Sequence, residues 1–97
     1  MEYINIVYES DCNDADIIAI PDVIYCCIYT IAQDFINWLV SSESNIILTS
    51  EGKQVINCET IGFIDWLNSY VLHDSIEKAF IVSEHVIAND DYITVDF

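Results

Sequence analysis

An α+β fold, with a mainly antiparallel sheet and two helices packed on one face of it, is what this chain's residue pattern predicts. Three observations carry that expectation. Residues alternate with the two-residue period of a strand near both ends of the chain. Apolar residues recur every three or four positions between Ile24 and Leu39, and a second helical pattern follows a Gly-containing turn. A length of 97 residues is enough for one domain, 1–97, with two layers around a single core.

The elements follow in order. From Tyr3 to Glu9 the chain alternates, with Ile4, Ile6 and Tyr8 on one face and Tyr3, Asn5 and Val7 on the other, so it reads as a strand. Ser10 to Asp16 holds Asp11, Asn13, Asp14 and Asp16, residues that favour turns and local side-chain to backbone bonds, and reads as an exposed acidic loop. Pro21 suits the first turn of a helix, and Asp22 after it suits the positive end of the helix dipole. Ile24, Cys27, Ile28, Ile31, Phe35, Trp38 and Leu39 then form the apolar stripe of a helix of about five turns, ended by the Ser-rich run 41–45. Residues 45–50 and 54–57 flank Glu51-Gly52-Lys53 and read as a β-hairpin. A second helix is expected from Glu59 or Thr60 to Leu72, with Ile61, Ile64, Leu67 (or Asn68) and Val71 inward; Gly62 weakens it by up to ~1 kcal/mol relative to Ala. Asp74-x-x-Glu77 has the spacing of a capping box, but the alternation and β-branching from Phe80 to Ile87 favour a long strand. Asn89-Asp90-Asp91 turns the chain into a last strand, Tyr92 to Phe97, as a C-terminal hairpin. The order is β-α-β-β-α-β-β, ferredoxin-like or related.

Charge is the strongest functional signal. Seventeen Asp and Glu stand against two Lys (Lys53 and Lys78) and no Arg, a formal net charge of −15. Disorder does not explain it, since 54% of the chain is apolar or aromatic and only 20% is charged. An A/T-rich coding bias would enrich Lys as well as Ile and Asn. Such a surface repels nucleic acid and anionic lipid, and it attracts basic proteins or cations by long-range steering. Apolar stretches are interrupted by Asp22, Gln33, Asp34 and Asn37 before they reach the length of a membrane span. The first residues, Met1-Glu2-Tyr3-Ile4-Asn5, lack the basic region of a secretory signal, so a cytoplasmic location is expected.

Motifs for chemistry are sparse. Cys12, Cys26, Cys27 and Cys58 include no Cys-x-x-Cys pair, and His73 and His85 lie outside zinc-type spacing, so free, partly buried thiols and no metal or cofactor are expected. An EF-hand read from Asp11 fails, with Ala15 at its fifth position, Asp16 at its glycine position and Asp22 rather than Glu at its twelfth. There is no Gly-rich phosphate loop and no Gly-x-Ser-x-Gly elbow. A chain without Arg has little to neutralise a phosphorylated substrate or an oxyanion, and an acidic setting would blunt a Cys58 thiolate paired with either His. A non-enzymatic binding role is therefore expected.

The binding candidates are carboxylates and nearby aromatics. Glu9, Asp11, Asp14, Asp16 and Asp22 fall within fourteen residues, where they can pair with Lys and Arg of a basic cleft or imitate a phosphate backbone. On the helix side opposite the core stripe lie Asp22, Cys26, Tyr29, Gln33 and Asn37, with Tyr25 beside them, and tyrosines near carboxylates suit an interface. Asp65, Trp66 and Asn68 on the second helix, and Asp90, Asp91, Tyr92 and Asp96 in the last hairpin, are further candidates.

In length, charge and α+β pattern the whole chain resembles the small acidic immunity proteins of bacterial toxin systems, those protecting against contact-dependent growth inhibition toxins and the barstar-like nuclease inhibitors. The resemblance rests on no shared motif and carries over no individual residue. It implies a cytoplasmic inhibitor whose partner is a basic toxin domain, a nuclease, with the substrate-binding surface of that toxin covered. A phage-encoded nucleic-acid mimic acting on a restriction or CRISPR effector, or a non-catalytic structural or regulatory subunit, are the alternatives that the same charge allows.

Overall fold

The structure, a computed structural model, describes residues 1–41, 46–48, 54–56 and 58–97. A hairpin begins the fold. Strand β1 (Glu2–Val7) pairs antiparallel with β2 (Ala15–Ile20), Glu2 opposite Ile20 and Ile6 opposite Asp16. The short helix α1 (Asp22–Tyr25) and the helix α2 (Ile28–Ser41) follow, then the strands β3 (Ile46–Leu48) and β4 (Gln54–Ile56), which pair with each other in a sheet of their own. Helix α3 (Thr60–Trp66) runs into a π-helical turn, Leu67–Val71, and β5 (Phe80–Val86) and β6 (Ile93–Asp96) complete the main sheet in the order β5-β2-β1-β6.

The α+β class and the mainly antiparallel sheet are as expected; the element order is not. The expected β-α-β-β-α-β-β becomes β-β-α-α-β-β-α-β-β, because 15–20 is a strand rather than the tail of an acidic loop. Its run, Ala15-Asp16-Ile17-Ile18-Ala19-Ile20, does not alternate: β2 lies between two strands, and Ala15, Ile18, Ala19 and Ile20 are all buried. The two central strands therefore come from one hairpin, and the sheet is not laid out in a ferredoxin-like manner. The β3–β4 hairpin is where it was expected, while its turn, Glu51-Gly52-Lys53, lies outside the described residues.

One face of the sheet carries Ile4, Ile6, Ile18 and Ile20, fully buried under α1, α2 and α3 against Ile24, Ile28, Phe35, Phe63, Ile64 and Leu67. Burying side chains of this size is worth roughly 1.5–3 kcal/mol each. The predicted single helix is broken at Cys26-Cys27, where Cys27 N–H bonds to Ile24 O, an i to i+3 closure of 3.2 Å. That tightening shifts the stripe: Cys27 and Trp38 turn to solvent, and Ala32 enters the core. On α3 the inner residues are Phe63, Ile64 and Trp66, not Ile61, and Asn68 is a structural residue rather than an interface one. Its side chain accepts from Ala79 N–H at 2.8 Å and donates to Ala79 O at 3.0 Å, fixing the entry to β5. No helix forms at Asp74–Glu77; the Lys78 ammonium caps Leu72 O at the end of the π turn. Among the described residues, no helix is long and apolar enough to cross a membrane.

The second correction concerns the C-terminus. β5 is antiparallel to β2 and β6 is parallel to β1, so β5 and β6 run the same way at opposite edges and form no hairpin. Strands lie about 4.8 Å apart, so residues 87–92 must cross roughly 14 Å of sheet, and step back about 10 Å along it, within a reach of about 23 Å. They cross the face opposite the helices and turn at Asn89–Tyr92, where Tyr92 N–H bonds to Asn89 O at 3.1 Å. Asn5, on β1 with 0% exposure, meets them there. Its Nδ2 donates to Asn89 O at 2.9 Å and to Thr94 Oγ1 at 3.2 Å, and its Oδ1 accepts from Asn89 N–H at 3.0 Å. Ala88 N–H adds a bond to Cys12 O at 2.8 Å.

Asn5→Ala removes these bonds to the crossover's part-buried backbone groups, and equilibrium urea unfolding is expected to show a loss of about 1–3 kcal/mol. Asn5→Leu, which fills the space but pairs nothing, is expected to lose a comparable amount; an unchanged midpoint in both variants would remove Asn5 from this role.

Candidate functional site: an acidic end of the sheet

The β1–β2 turn, the end of β5 and the end of β6 meet at one end of the sheet, since Ala15 stands opposite Val86 and Val7 opposite Asp96. The turn begins with Glu9 and Ser10 at φ 54° and 60°, the left-handed region that ordinary side chains enter at a cost. Asp96 helps hold it there, accepting Ser10 N–H at 3.2 Å and Ser10 Oγ at 2.6 Å. Asp11 closes an Asx turn by accepting Asn13 N–H at 3.1 Å, the local use that its loop position predicts.

A bulge in β5 supplies the next piece. Ser83 and Val86 stand opposite Ile17 and Ala15, so β5 has one residue too many in this stretch, as it has again between Ile81 and Ser83, and His85 takes φ 53° within the first of these. This brings His85 Nδ1 to 2.7 Å from Asp14 Oδ1, while His85 N–H donates to Asp16 Oδ1 at 3.1 Å. Asp16 is half-buried, and its other oxygen accepts from Thr60 Oγ1, which also bonds Tyr8 OH at 2.8 Å. Asp16 therefore ties the start of α3 to the edge strand. A cleft of about 290 Å³ opens here, lined by Tyr8, Asp16, Cys58, Thr60, Glu84 and His85 among others.

Electrostatics limit what this cleft can do. Burial, against the Thr60 hydrogen bond, pushes the Tyr8 phenol up to about 12, and burial with the Glu59 charge pushes the Cys58 thiol up to about 11. Both stay protonated at neutral pH, so Cys58 beside His85 is a poor nucleophile. His85 is moved the other way in function: the hydrogen bond to Asp14, then the charges of Asp14, Asp16 and Glu84, hold its ring protonated above the ordinary histidine range. Among the described residues, no three His, Cys, Asp or Glu side chains group to hold a metal ion. Cys12, Cys26 and Cys27 are exposed and Cys58 half-buried, all as free thiols, where partly buried ones were expected throughout.

Of the residues singled out in the sequence, the sheet end gathers Glu9, Asp11, Asp14 and Asp16. Asp22 is not with them. It lies at the opposite end of β2, some 20 Å away by strand rise, paired with the Met1 amine at 3.0 Å. Tyr25 packs half-buried against the core, and Tyr29 is exposed and shares a small cleft with Asp96 and Phe97. Asp90 and Asp91 are exposed on the crossover, and Asp65 sits on α3 beside a groove against α2. Glu59, Glu84 and His85 join the site without having been singled out as binding residues; only the direction of β5 relative to β1 brings the latter two there.

Compared with protein-family models, curated proteins and solved structures, the chain matches none.

Because its pKa is raised, His85 favours the folded state below the ordinary value of 6.5 and that contribution is lost as pH rises through the raised one. Histidine NMR titration is expected to place His85 above the ordinary range and Asp14→Asn to lower it. The stability advantage of wild type over Asp14→Asn is expected to be larger at about pH 6 than at about pH 9; an advantage that grows with pH would contradict the pairing.

Proposed function

We propose that this protein is an immunity-type inhibitor, acting in the cytoplasm, that binds and neutralises a basic toxin domain, a nuclease, by covering its substrate-binding surface. One observation supports it above the others: Glu9, Asp11, Asp14, Asp16, Glu59, Glu84 and Asp96 converge at one end of the sheet with no Lys or Arg among the described residues there. Like charges held together raise the free energy of the isolated fold, and a cationic surface relieves that repulsion on binding. A cleft built to bind phosphates carries the complementary sign. The protonated phenol and thiol beside the carboxylates fit a surface that binds rather than reacts.

Steering predicts the kinetics. A basic protein captured from the native host at low salt is expected to associate with this chain at a rate that falls about tenfold or more as ionic strength rises from about 0.01 to 0.3 M, measured by stopped flow. The triple variant Glu9→Gln, Asp11→Asn, Glu84→Gln keeps the turn and is expected to slow association several-fold at low salt and hardly at all at high salt. The partner's nuclease activity is expected to fall in the complex and return when it dissociates. An association rate indifferent to salt would defeat the electrostatic account.

A further inference from the structure

The two tryptophans of this chain, Trp38 and Trp66, both line one groove between α2 and α3, together with Ile61, Gly62, Asp65 and Tyr70. We infer that this groove seats an arginine side chain of the basic partner, stacked on Trp38 and Tyr70 and paired with Asp65. The inference rests on the reading of the chain as a binder of basic proteins.

The rings are held in place. Trp38 stacks on buried Phe35 at 6.2 Å and 19°, and Trp66 packs on the same ring at 5.4 Å. Tyr70 lies 5.8 Å from Trp38 and 6.5 Å from Trp66, so Trp66 forms a floor and the two outer rings form a trough above it. Trp38 is 37% exposed and Tyr70 59%, more than a core needs and enough to offer a ring face. The π turn carries Ser69 and Tyr70 into the lining, a backbone irregularity of a kind concentrated at functional sites.

Charge complementarity names the occupant. Asp65 and Glu59 stand on the rim, and no cation lines the groove among the described residues. Carboxylates beside ring faces suit a cation. Trp38 and Tyr70, both exposed, offer aromatic surface on which a flat cation can stack. A guanidinium is flat, weakly hydrated and able to fork onto a carboxylate, which an ammonium is not. Gly62 adds an independent mark. A Cβ placed there would meet nothing within 4 Å, so the packing of the fold does not require glycine, yet this poor helix former occupies the first turn of α3 and leaves the groove open. The groove, about 360 Å³, has room for one long side chain, and it shares Glu59 and Ile61 as lining with the cleft at the acidic end.

The test titrates the whole protein with the blocked peptide acetyl-Gly-Arg-Arg-Gly-amide and with its Lys-Lys counterpart, reading tryptophan emission and the indole N–H signal of Trp38. The Arg peptide is expected to give a saturable change with affinity at least fivefold above the Lys peptide. Asp65→Asn is expected to weaken it about tenfold, and Gly62→Leu, which fills the groove from a half-buried helix position where a Cβ meets nothing within 4 Å, to abolish it. The acidic-end triple variant is expected to stay within twofold of wild type. Equal response to both peptides, or loss in the triple variant with retention in Asp65→Asn, overturns the assignment. Should a captured basic partner bind wild type, Asp65→Asn and Gly62→Leu alike, the groove is refuted while the proposed function stands. An Arg-selective, Gly62-sensitive response without any basic partner supports the groove and removes the proposed function.

Discussion

The crossover pinned by Asn5 sets the geometry on which the rest depends. A six-residue link between parallel strands at opposite edges has little length to spare, so it crosses the sheet over β1, where its part-buried peptide groups need partners. A buried amide with one acceptor and two donor hydrogens is among the few side chains able to meet an N–H and two oxygens at once, and Asn5 does so from the middle of β1. Had β5 and β6 formed a hairpin, one of them would run against β1. With the crossover, both run with β1 and both end beside the β1–β2 turn, which brings Glu84 and Asp96 to the same place as Glu9, Asp11 and Asp14.

That concentration of charge has a cost, and the local hydrogen bonds are arranged against it. Asp96 accepts from Ser10, Asp11 from the backbone of Asn13, Asp14 from His85, and Asp16 from Thr60 and the backbone of His85. These donors are neutral apart from the imidazole, so they orient the carboxylates without cancelling their charge. A fold selected for stability alone would place Lys or Arg among them; under the proposed function a cationic partner supplies that compensation. The strained φ values of Glu9, Ser10 and His85 fall in this region too, which is where a fold carries strain when the arrangement serves binding.

Much of the architecture was legible because it is local. β1, α2, the β3–β4 hairpin, β5 and β6 each follow from a period of two or three and four, and turn chemistry located the loop at Asp11–Asp14. What could not be read was set by neighbours. β2 has no alternation because apolar residues are buried on both of its faces, and the pairing of β6 with β1 rather than β5 depends on contacts more than eighty positions apart in sequence, such as Asn5 to Asn89. The site divides in the same way. Carboxylates clustered in sequence came together, except Asp22, which the length of β2 carries to the far end. Glu84, His85 and Glu59 belong to the site through a bulge, a strand direction and a helix start, none of which leaves a local mark.

The proposed function asks two different things of a binding surface, and the acidic end and the aromatic groove differ in which of them they could supply. Screened charges act over roughly 8–10 Å and raise the rate of encounter, but exposed ion pairs add little to the lifetime of a complex. Buried aromatic anchors do the reverse, since they act only in contact and slow dissociation. A protein that must silence an enzyme soon after synthesis, and keep it silent, needs both. In this chain they adjoin: Glu59 and Ile61 line the acidic cleft on one side and the groove on the other, and Tyr70 stands about three helical turns further along the same helical run.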